Sequence, residues 1–354
     1  MADRALIAMS GGVDSSVAAK LMKERGMDCA GATMRLYDYE TVGIADMTCC
    51  SAKDVEDARA VAERLQMPYY IFHMEDGFRE QVIDRFVRNY EAGRTPNPCI
   101  DCNRYLKFDG LFQKAAELGY DYVVTGHYAT VEEKDGVYRL KRGVDRTKDQ
   151  SYVLYDLTQE KLARTILPLG ELSKEETRRI AREAGFVNSE KKDSQDICFV
   201  PDGDYAKVIE AYTGRKSIPG DFVSLDGTVM GRHKGIIHYT VGQRRGLGLT
   251  VPESVYVVRI DPEKNQVILG KDSDLYGKTL TASQFNWISG HAPAGEVRCT
   301  AKVRYRQKEQ PAAAFALSED TVRVEFDEPQ RAITKGQSVV LYDGDYVLGG
   351  GIID

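Results

Sequence analysis

Ser10-Gly11-Gly12-Val13-Asp14-Ser15 decides how the rest of the chain is read. The apolar run before it, Ala5 to Met9, has the length and character of a buried strand. Ser16-Val17-Ala18-Ala19-Lys20-Leu21 follows as the start of a helix that Gly26 closes. A strand, a glycine-rich turn and a helix together aim several backbone N–H groups at one point, where the helix dipole adds partial positive charge. Gly11 and Gly12 let the main chain approach a phosphate, and Ser10, Ser15 and Ser16 offer hydroxyl donors. Asp14 would repel a phosphate, so it belongs beside a bound Mg²⁺. The Gly-Lys-Ser/Thr ending of a Walker loop is missing from this stretch.

Composition bounds the remainder. A chain of 354 residues with 42% hydrophobic content can bury two or three domain cores. No run approaches the roughly 18 apolar residues of a membrane helix, and Met1-Ala2-Asp3-Arg4 begins no signal peptide. A cytoplasmic protein is expected. Seven cysteines in a reducing compartment point to metal or catalytic use of some of them, not to a disulfide framework. With a net charge of −6, nucleic-acid binding has to come from local basic patches.

Strand and helix patterns alternate through the first half. Cys29 to Met34, Tyr69 to Phe72 and Tyr122 to Val124 read as strands, the last running into Thr125-Gly126-His127. Helical spacing recurs from Val55 to Leu65, from Phe78 to Phe86 and from Leu106 to Leu118, and Ser173 to Glu176 is a capping box opening a helix to about Ala184. This repetition implies an α/β domain with a doubly wound parallel sheet and ligands at the carboxyl ends of its strands. Ser10 and Gly126-His127 then line one cleft. After Cys198 short strands take over, separated by turns such as Asp226-Gly227, Asp261-Pro262 and Asp343-Gly344. The expected division is a nucleotide-binding domain over 1–200, a small β-rich central domain over 201–270 and a C-terminal β-barrel over 271–354.

Cys99 and Cys102 lie in Thr95-Pro96-Asn97-Pro98-Cys99-Ile100-Asp101-Cys102-Asn103, read as an ordered non-helical loop before the Leu106 helix. Two cysteines three apart are metal ligands, a redox pair or incidental thiols. Cys198, taken alone, reads as a small buried hydrophobe, as do Cys29 and Cys299 on strand-like runs. Cys49-Cys50 are read as structural. Two basic stretches stand out: Arg139, Lys141, Arg142, Arg146 and Lys148, and the alternating Lys302, Arg304, Arg306 and Lys308, which share one face if they lie on a strand. Arg244-Arg245 is a further candidate for phosphate contact.

The opening hexapeptide resembles the pyrophosphate-binding (PP) loop of enzymes that adenylate an oxygen and release pyrophosphate. End to end, the chain resembles the bacterial tRNA-specific 2-thiouridylases. The resemblance is carried by Ala8 to Ser15, Asn97-Pro98 with Cys102-Asn103, Thr125-Gly126-His127-Tyr128, Lys148-Asp149-Gln150-Ser151-Tyr152, Ser194-Gln195-Asp196 with Cys198, and Thr240 to Gly248. It implies an adenine-nucleotide alpha-hydrolase-like first domain and exchange of oxygen for sulfur at C2 of the wobble uridine in certain tRNAs. Adenylation fits that chemistry, because the uracil 2-oxygen leaves poorly until AMP is attached to it. By resemblance, Ala8, Met9, Ser10, Gly11, Gly12, Val13, Asp14, Ser15, Met34 and Gly126 bind ATP with Mg²⁺. His127, Lys148, Asp149, Gln150, Arg304, Tyr305 and Gln337 would contact tRNA, with Tyr305 available to stack on a splayed base. Cys198 would carry sulfur as a persulfide delivered by a cysteine desulfurase or a sulfur-relay protein, and Cys102 would release it or resolve it as a disulfide; free sulfide would be the donor if a cluster carries the sulfur.

One residue departs from the family pattern. Cys99 stands where the family commonly has Asp, giving with Cys102 and Cys198 three thiolates able to hold a [4Fe-4S] cluster. Two other readings remain open at this level: an adenylating enzyme with the same loop acting on a small molecule, and a non-catalytic RNA-binding protein.

Overall fold

In the computed structural model, which describes residues 3–37, 52–192, 197–200 and 202–354, the first half is built on a parallel sheet. Strands β1 (Arg4–Ala8), β2 (Asp28–Arg35), β3 (Tyr69–His73) and β4 (Tyr122–Val124) alternate with helices, beginning with α1 (Val13–Glu24) and α2 (Ala52–Arg64). The chain then makes an antiparallel hairpin, β5 (Ala129–Lys134) and β6 (Val137–Arg142), before β7 (Thr165–Ile166) completes the order β3-β2-β1-β4-β7. Ala5, Leu6 and Ile7 are fully buried, because helices cover both faces of the sheet. One face packs Met9, Val17, Met22 and Val61 against Phe186, and the other packs Leu6 and Ala32 against Leu111 and Tyr120. From β1 the chain moves outward to β2 and β3, then crosses back to β4 on the other side of β1. The crevice between the carboxyl ends of β1 and β4 is therefore the switch point at which doubly wound sheets bind ligands.

The Ser173 capping box forms as expected, opening the helix Lys174–Glu183. The Cys99 segment differs from expectation. It is helical from Pro98: one α turn, Pro98–Asp101, runs into a wider π-helical coil, Cys102–Gly110, and then into Leu111–Leu118. Pro98 occupies the first helical turn, where no N–H is needed, and the Asn97 Oδ1 accepts from the Cys99 N–H at 3.2 Å. The prolines start this helix instead of holding it off.

A central unit follows, with the helix Tyr205–Thr213 and a four-stranded sheet of β8 (Gly220–Ser224), β9 (Val229–His233), β10 (Tyr256–Asp261) and β11 (Gln266–Gly270) in the order β10-β11-β8-β9. The final strands, β12 (Tyr276–Trp287), β13 (Glu296–Lys302), β14 (Gln310–Ala316), β15 (Val322–Arg331), β16 (Ser338–Asp343) and β17 (Tyr346–Ile353), are antiparallel. Pairing of β12 with β17 closes them into a six-stranded barrel. The β5–β6 hairpin attaches to β17 through Lys141 and Tyr346, so a segment of the first domain extends the barrel sheet. Tyr152 and Tyr155 follow it into a core shared with Val340, Tyr342 and Val347. The Tyr152 hydroxyl donates to the Ser338 carbonyl at 2.7 Å, and a Cβ on Gly350 would lie 2.6 Å from the Tyr155 ring.

Candidate active site and RNA-facing surface

The loop after β1 is shaped by two glycines. Gly11 has φ +72°, and a Cβ there would lie 2.2 Å from the Asp54 carbonyl oxygen on α2. Gly12 is the extended N-cap of α1, and among the described residues no side chain caps the helix. The leading N–H groups of α1 therefore face the cleft without a side-chain acceptor, which suits an anion. Gly126 forms the opposite wall, where a Cβ would sit 2.9 Å from Asp14 C and Ser15 N. Met9 donates its N–H to Ala32 O at 2.8 Å, joining the end of β1 to the strand that carries Met34. Ala8 to Ser15 and Gly126 are thus brought together, with Met34 two residues beyond the strand pairing of Ala8 with Ala32.

The serine expectation is corrected in part. Ser15 and Ser16 are buried and both donate to the Gly12 carbonyl, at 3.1 and 3.0 Å, so their hydroxyls brace the first turn. Ser10 remains exposed. Two residues that sequence reasoning missed hold the loop from behind. Asn188 Nδ2 donates to Gly11 O and Ser16 Oγ, both at 2.9 Å, and Lys191 Nζ reaches Gly11 O at 3.0 Å and Asp57 at 2.8 Å. Asp14 receives Lys174 Nζ at 2.7 and 2.8 Å and the Tyr128 hydroxyl at 2.8 Å. Its carboxylate, 32% exposed, is an acidic group beside the loop and fits a nucleotide-bound Mg²⁺ in exchange with that lysine. Tyr128 directly follows the Thr125-Gly126-His127 turn and Lys174 belongs to the capping box, but neither position signals a partner 114 or 160 residues away.

His127 is buried to 7% exposure, its Nδ1 2.7 Å from Thr125 Oγ1 and its ring stacked near Phe108. Burial, assisted by Lys107, holds its pKa well below the ordinary 6.5. The folded state therefore refuses a proton that the unfolded chain accepts, and this contribution to stability is present above pH 6.5 and shrinks as pH falls below it. Urea unfolding at pH values of about 7.5, 6 and 5 should show His127→Asn losing up to about 1.4 kcal/mol per pH unit less than the parent chain on the acid side. Equal slopes would mean His127 is protonated in the folded protein.

The three thiols differ in burial. Cys99 is exposed, Cys102 is 8% exposed, and Cys198 is half-buried. Cys102 belongs to an apolar cluster with Phe78, Phe86 and Phe199, and Cys198 packs against the same cluster. Among the described residues no group of three or more His, Cys, Asp or Glu side chains is spaced to hold a metal ion. The [4Fe-4S] reading thus lacks a ligand set: Cys99 stays at the surface while Cys102 turns into the apolar cluster. Burial raises the Cys29 and Cys299 thiols to about 11, consistent with inert packing. Cys49, Cys50 and Ser194 to Asp196 lie outside the described residues.

The expected tRNA contacts are tied into the scaffold. Gln150 takes the Tyr128 N–H on its side-chain oxygen at 3.0 Å and returns its own N–H to Tyr128 O at 2.9 Å. Asp149 accepts from Ser151 N–H and hydroxyl, and its carbonyl receives the Tyr305 hydroxyl at 3.2 Å. Lys148 donates its N–H to Asp145 O. Gln337 Nε2 donates to Thr95 O at 2.7 Å. Tyr305 is the most open of these, 37% exposed beside Tyr152. In the first basic stretch Lys141 pairs with Glu132, Arg142 with Glu309 and Arg146 with Asp345.

The second basic stretch is not on a strand, because β13 ends at Lys302 and a turn follows. Its Arg304 is half-buried: Nη2 lies 3.2 Å from Val241 O, 2.9 Å from Ala332 O and 2.6 Å from Thr334 Oγ1. It joins the central unit to the barrel. Arg304→Ala should lower stability by about 2–3 kcal/mol in denaturant unfolding while leaving the salt dependence of tRNA binding unchanged. A flattened salt dependence at full stability would restore Arg304 as a phosphate contact.

Three family models match the chain in order. One is described as the tRNA methyl transferase HUP domain and covers residues 3–202, one as the tRNA methyl transferase PRC-barrel domain over 206–271, and one as the aminomethyltransferase beta-barrel domain over 277–353. Among relatives, the tRNA-specific 2-thiouridylase MnmA of Carboxydothermus hydrogenoformans is 50% identical over 355 residues, covering 99% of this chain and 97% of that one. The protein of the same name from Clostridioides difficile is 48% identical over 356 residues, covering 100% and 99%. That from Acetivibrio thermocellus is 49% identical over 355 residues, covering 99% of each.

Proposed function

This chain belongs to the tRNA-specific 2-thiouridylase family, and on that premise we infer that it replaces O2 of a tRNA uridine, the wobble uridine, by sulfur with consumption of ATP. The observation that carries the reading is the uncapped glycine loop at the switch point, walled by Gly126, in a chain that also sets two thiols in one neighbouring cluster. The matched domain families carry descriptions of methyl transfer. Methylation with an electrophilic methyl donor needs neither an adenylate nor a thiol. Full-length identity of about half to the thiouridylases favours thiolation over that and over a small-molecule ligase or a non-catalytic RNA binder.

In the first step the uridine O2 attacks the α-phosphorus of ATP, forming an O-adenylate and releasing pyrophosphate into the α1 N-terminus. Mg²⁺ arriving with the nucleotide supplies charge neutralisation on the phosphates, and Asp14 is the carboxylate that would hold it. In the second step a persulfide on Cys198 attacks C2 through its outer sulfur and AMP leaves. The Cys102 thiolate then attacks the Cys198 sulfur, forming a Cys102–Cys198 disulfide and releasing the 2-thiouridine; a cellular thiol reduces the disulfide. Cys102 and Cys198 meet the same apolar cluster of Phe78 and Phe199, which supports sulfur chemistry shared between these two thiols.

The test is nucleoside mass spectrometry of tRNA after incubation with the purified protein, ATP, Mg²⁺ and a persulfide donor. ATP-dependent 2-thiouridine is expected. AMP and pyrophosphate formed without thiolated tRNA, or thiolation without ATP, would overturn the reading.

A further inference from the structure

We propose that the loop Gly242-Gln243-Arg244-Arg245-Gly246 of the central unit is a preformed clamp for the tRNA sugar–phosphate backbone, with Arg244 and Arg245 as the phosphate contacts. The proposal rests on the tRNA reading above. Several cations that the sequence offers for RNA are already engaged: Lys141, Arg142 and Arg146 are in ion pairs, and Arg304 is half-buried among carbonyls. Arg244 and Arg245 are exposed, and among the described residues neither has an ion-pair partner.

The loop beneath them is held in place. Gly242 donates its N–H to Val257 O at 2.8 Å, and Val257 returns its own to Gln243 O at 2.9 Å, fixing both ends of the turn to β10. The Gln243 side chain accepts from Thr240 N–H at 3.0 Å and donates to Arg245 O at 3.1 Å, bracing the backbone under the arginines. Gly242 and Gly246 have φ +90° and +78°, and Leu247 anchors the far side in the apolar core with Phe222 and Tyr239. Two arginines on an ordered turn lose little backbone freedom when they bind, which is the condition for a productive contact from exposed side chains.

Position supports the same partner. A Cβ on Gly242 would lie 3.0 Å from Ala332 Cβ, so the loop rests on the barrel next to Arg304. Two residues earlier, Thr240 Oγ1 is 3.4 Å from Thr95 Oγ1. Thr95 is also bonded to Lys335 and Gln337, and it leads into the helix carrying Cys99 and Cys102. The arginine loop therefore stands where all three domains meet, beside the thiol-bearing segment. Arg94 and Lys335 flank that junction, exposed and without ion-pair partners among the described residues. A polyanion laid across this seam meets free cations on three domains in a chain whose overall charge is −6.

The experiment measures the affinity of the full-length protein for unmodified tRNA between about 50 and 300 mM KCl. Arg244→Ala/Arg245→Ala should weaken binding on the order of tenfold at moderate salt and reduce the slope of log affinity against log salt by about two, one for each phosphate no longer neutralised. ATP affinity without tRNA should be unchanged, since the loop is held by β10 and the barrel. Arg244→Lys/Arg245→Lys should keep the slope, and Lys141→Ala, whose charge is paired with Glu132, should not alter it. An unchanged slope in the double alanine variant, or a lysine variant as impaired as the alanine one, overturns the clamp. Failure of the parent chain to bind tRNA in a salt-dependent way would instead remove the functional reading beneath it.

Discussion

Cys198→Ser should still release pyrophosphate in a tRNA-dependent manner yet incorporate sulfur more slowly by on the order of a thousandfold. Adenylation draws on the β1–α1 loop and Gly126, whereas a serine hydroxyl cannot carry a transferable sulfur. The paired variant gives a different result. In Cys102→Ser the persulfide can attack C2, but nothing resolves the Cys198–S–S–C2 bond, so a covalent protein–tRNA adduct should appear on a denaturing gel and vanish with dithiothreitol. Sulfur incorporation at near the parent rate by Cys198→Ser would remove it as the carrier. Free release of 2-thiouridine by Cys102→Ser would assign resolution to another thiol.

Gly11→Ala should be the most damaging single-methyl change in the nucleotide loop. At φ +72° a non-glycine residue costs about 1 kcal/mol, and the added Cβ meets the Asp54 carbonyl oxygen at 2.2 Å, so α2 or the loop has to shift. Stability should fall by about 2 kcal/mol or more, and ATP-dependent pyrophosphate release should drop at least roughly a hundredfold. Gly26→Ala is the control: its φ is +79° but nothing lies within 4 Å of the added Cβ. It should lose only the backbone contribution, about 1 kcal/mol, and keep ATP binding. Equal effects from the two substitutions would show that strain alone, not contact with α2, governs the loop.

Short-range signals translated into correct local structure. Ser10 to Ser15 marked the strand–turn–helix, and Ser173 with Glu176 marked a helix start, because in each case the partners lie within a few residues. Long-range partners left no such trace. Asp14 reads as a metal-side carboxylate since nothing near it announces Lys174 or Tyr128. The alternation Lys302, Arg304, Arg306, Lys308 imitates a strand face, but β13 stops at Lys302, and a turn then directs Arg304 into the carbonyls of residues 241 and 332. Pro96 and Pro98 suggest a loop, though proline at a first helical turn is equally at ease. Charge by itself could not separate the engaged cations at 141, 142 and 146 from the exposed pair at 244 and 245, which have no ion-pair partner among the described residues, since ion pairing across distant segments depends on the completed fold.

The hairpin of residues 129–142 is made early and completed late. It leaves the ribosome well before residue 165, yet the strand it leans on is β17, which also closes the barrel against β12. Until β16 and β17 have been translated, Tyr152 and Tyr155 lack Ser338, Val340 and Gly350 to pack against, and the first domain carries an uncovered aromatic ledge. Nascent chains halted before β16 should therefore be recognised by chaperones that hold exposed apolar surface, and the nucleotide cleft, whose Asp14 is braced through Tyr128 and Gln150 to that same ledge, matures only when the last strand is in place.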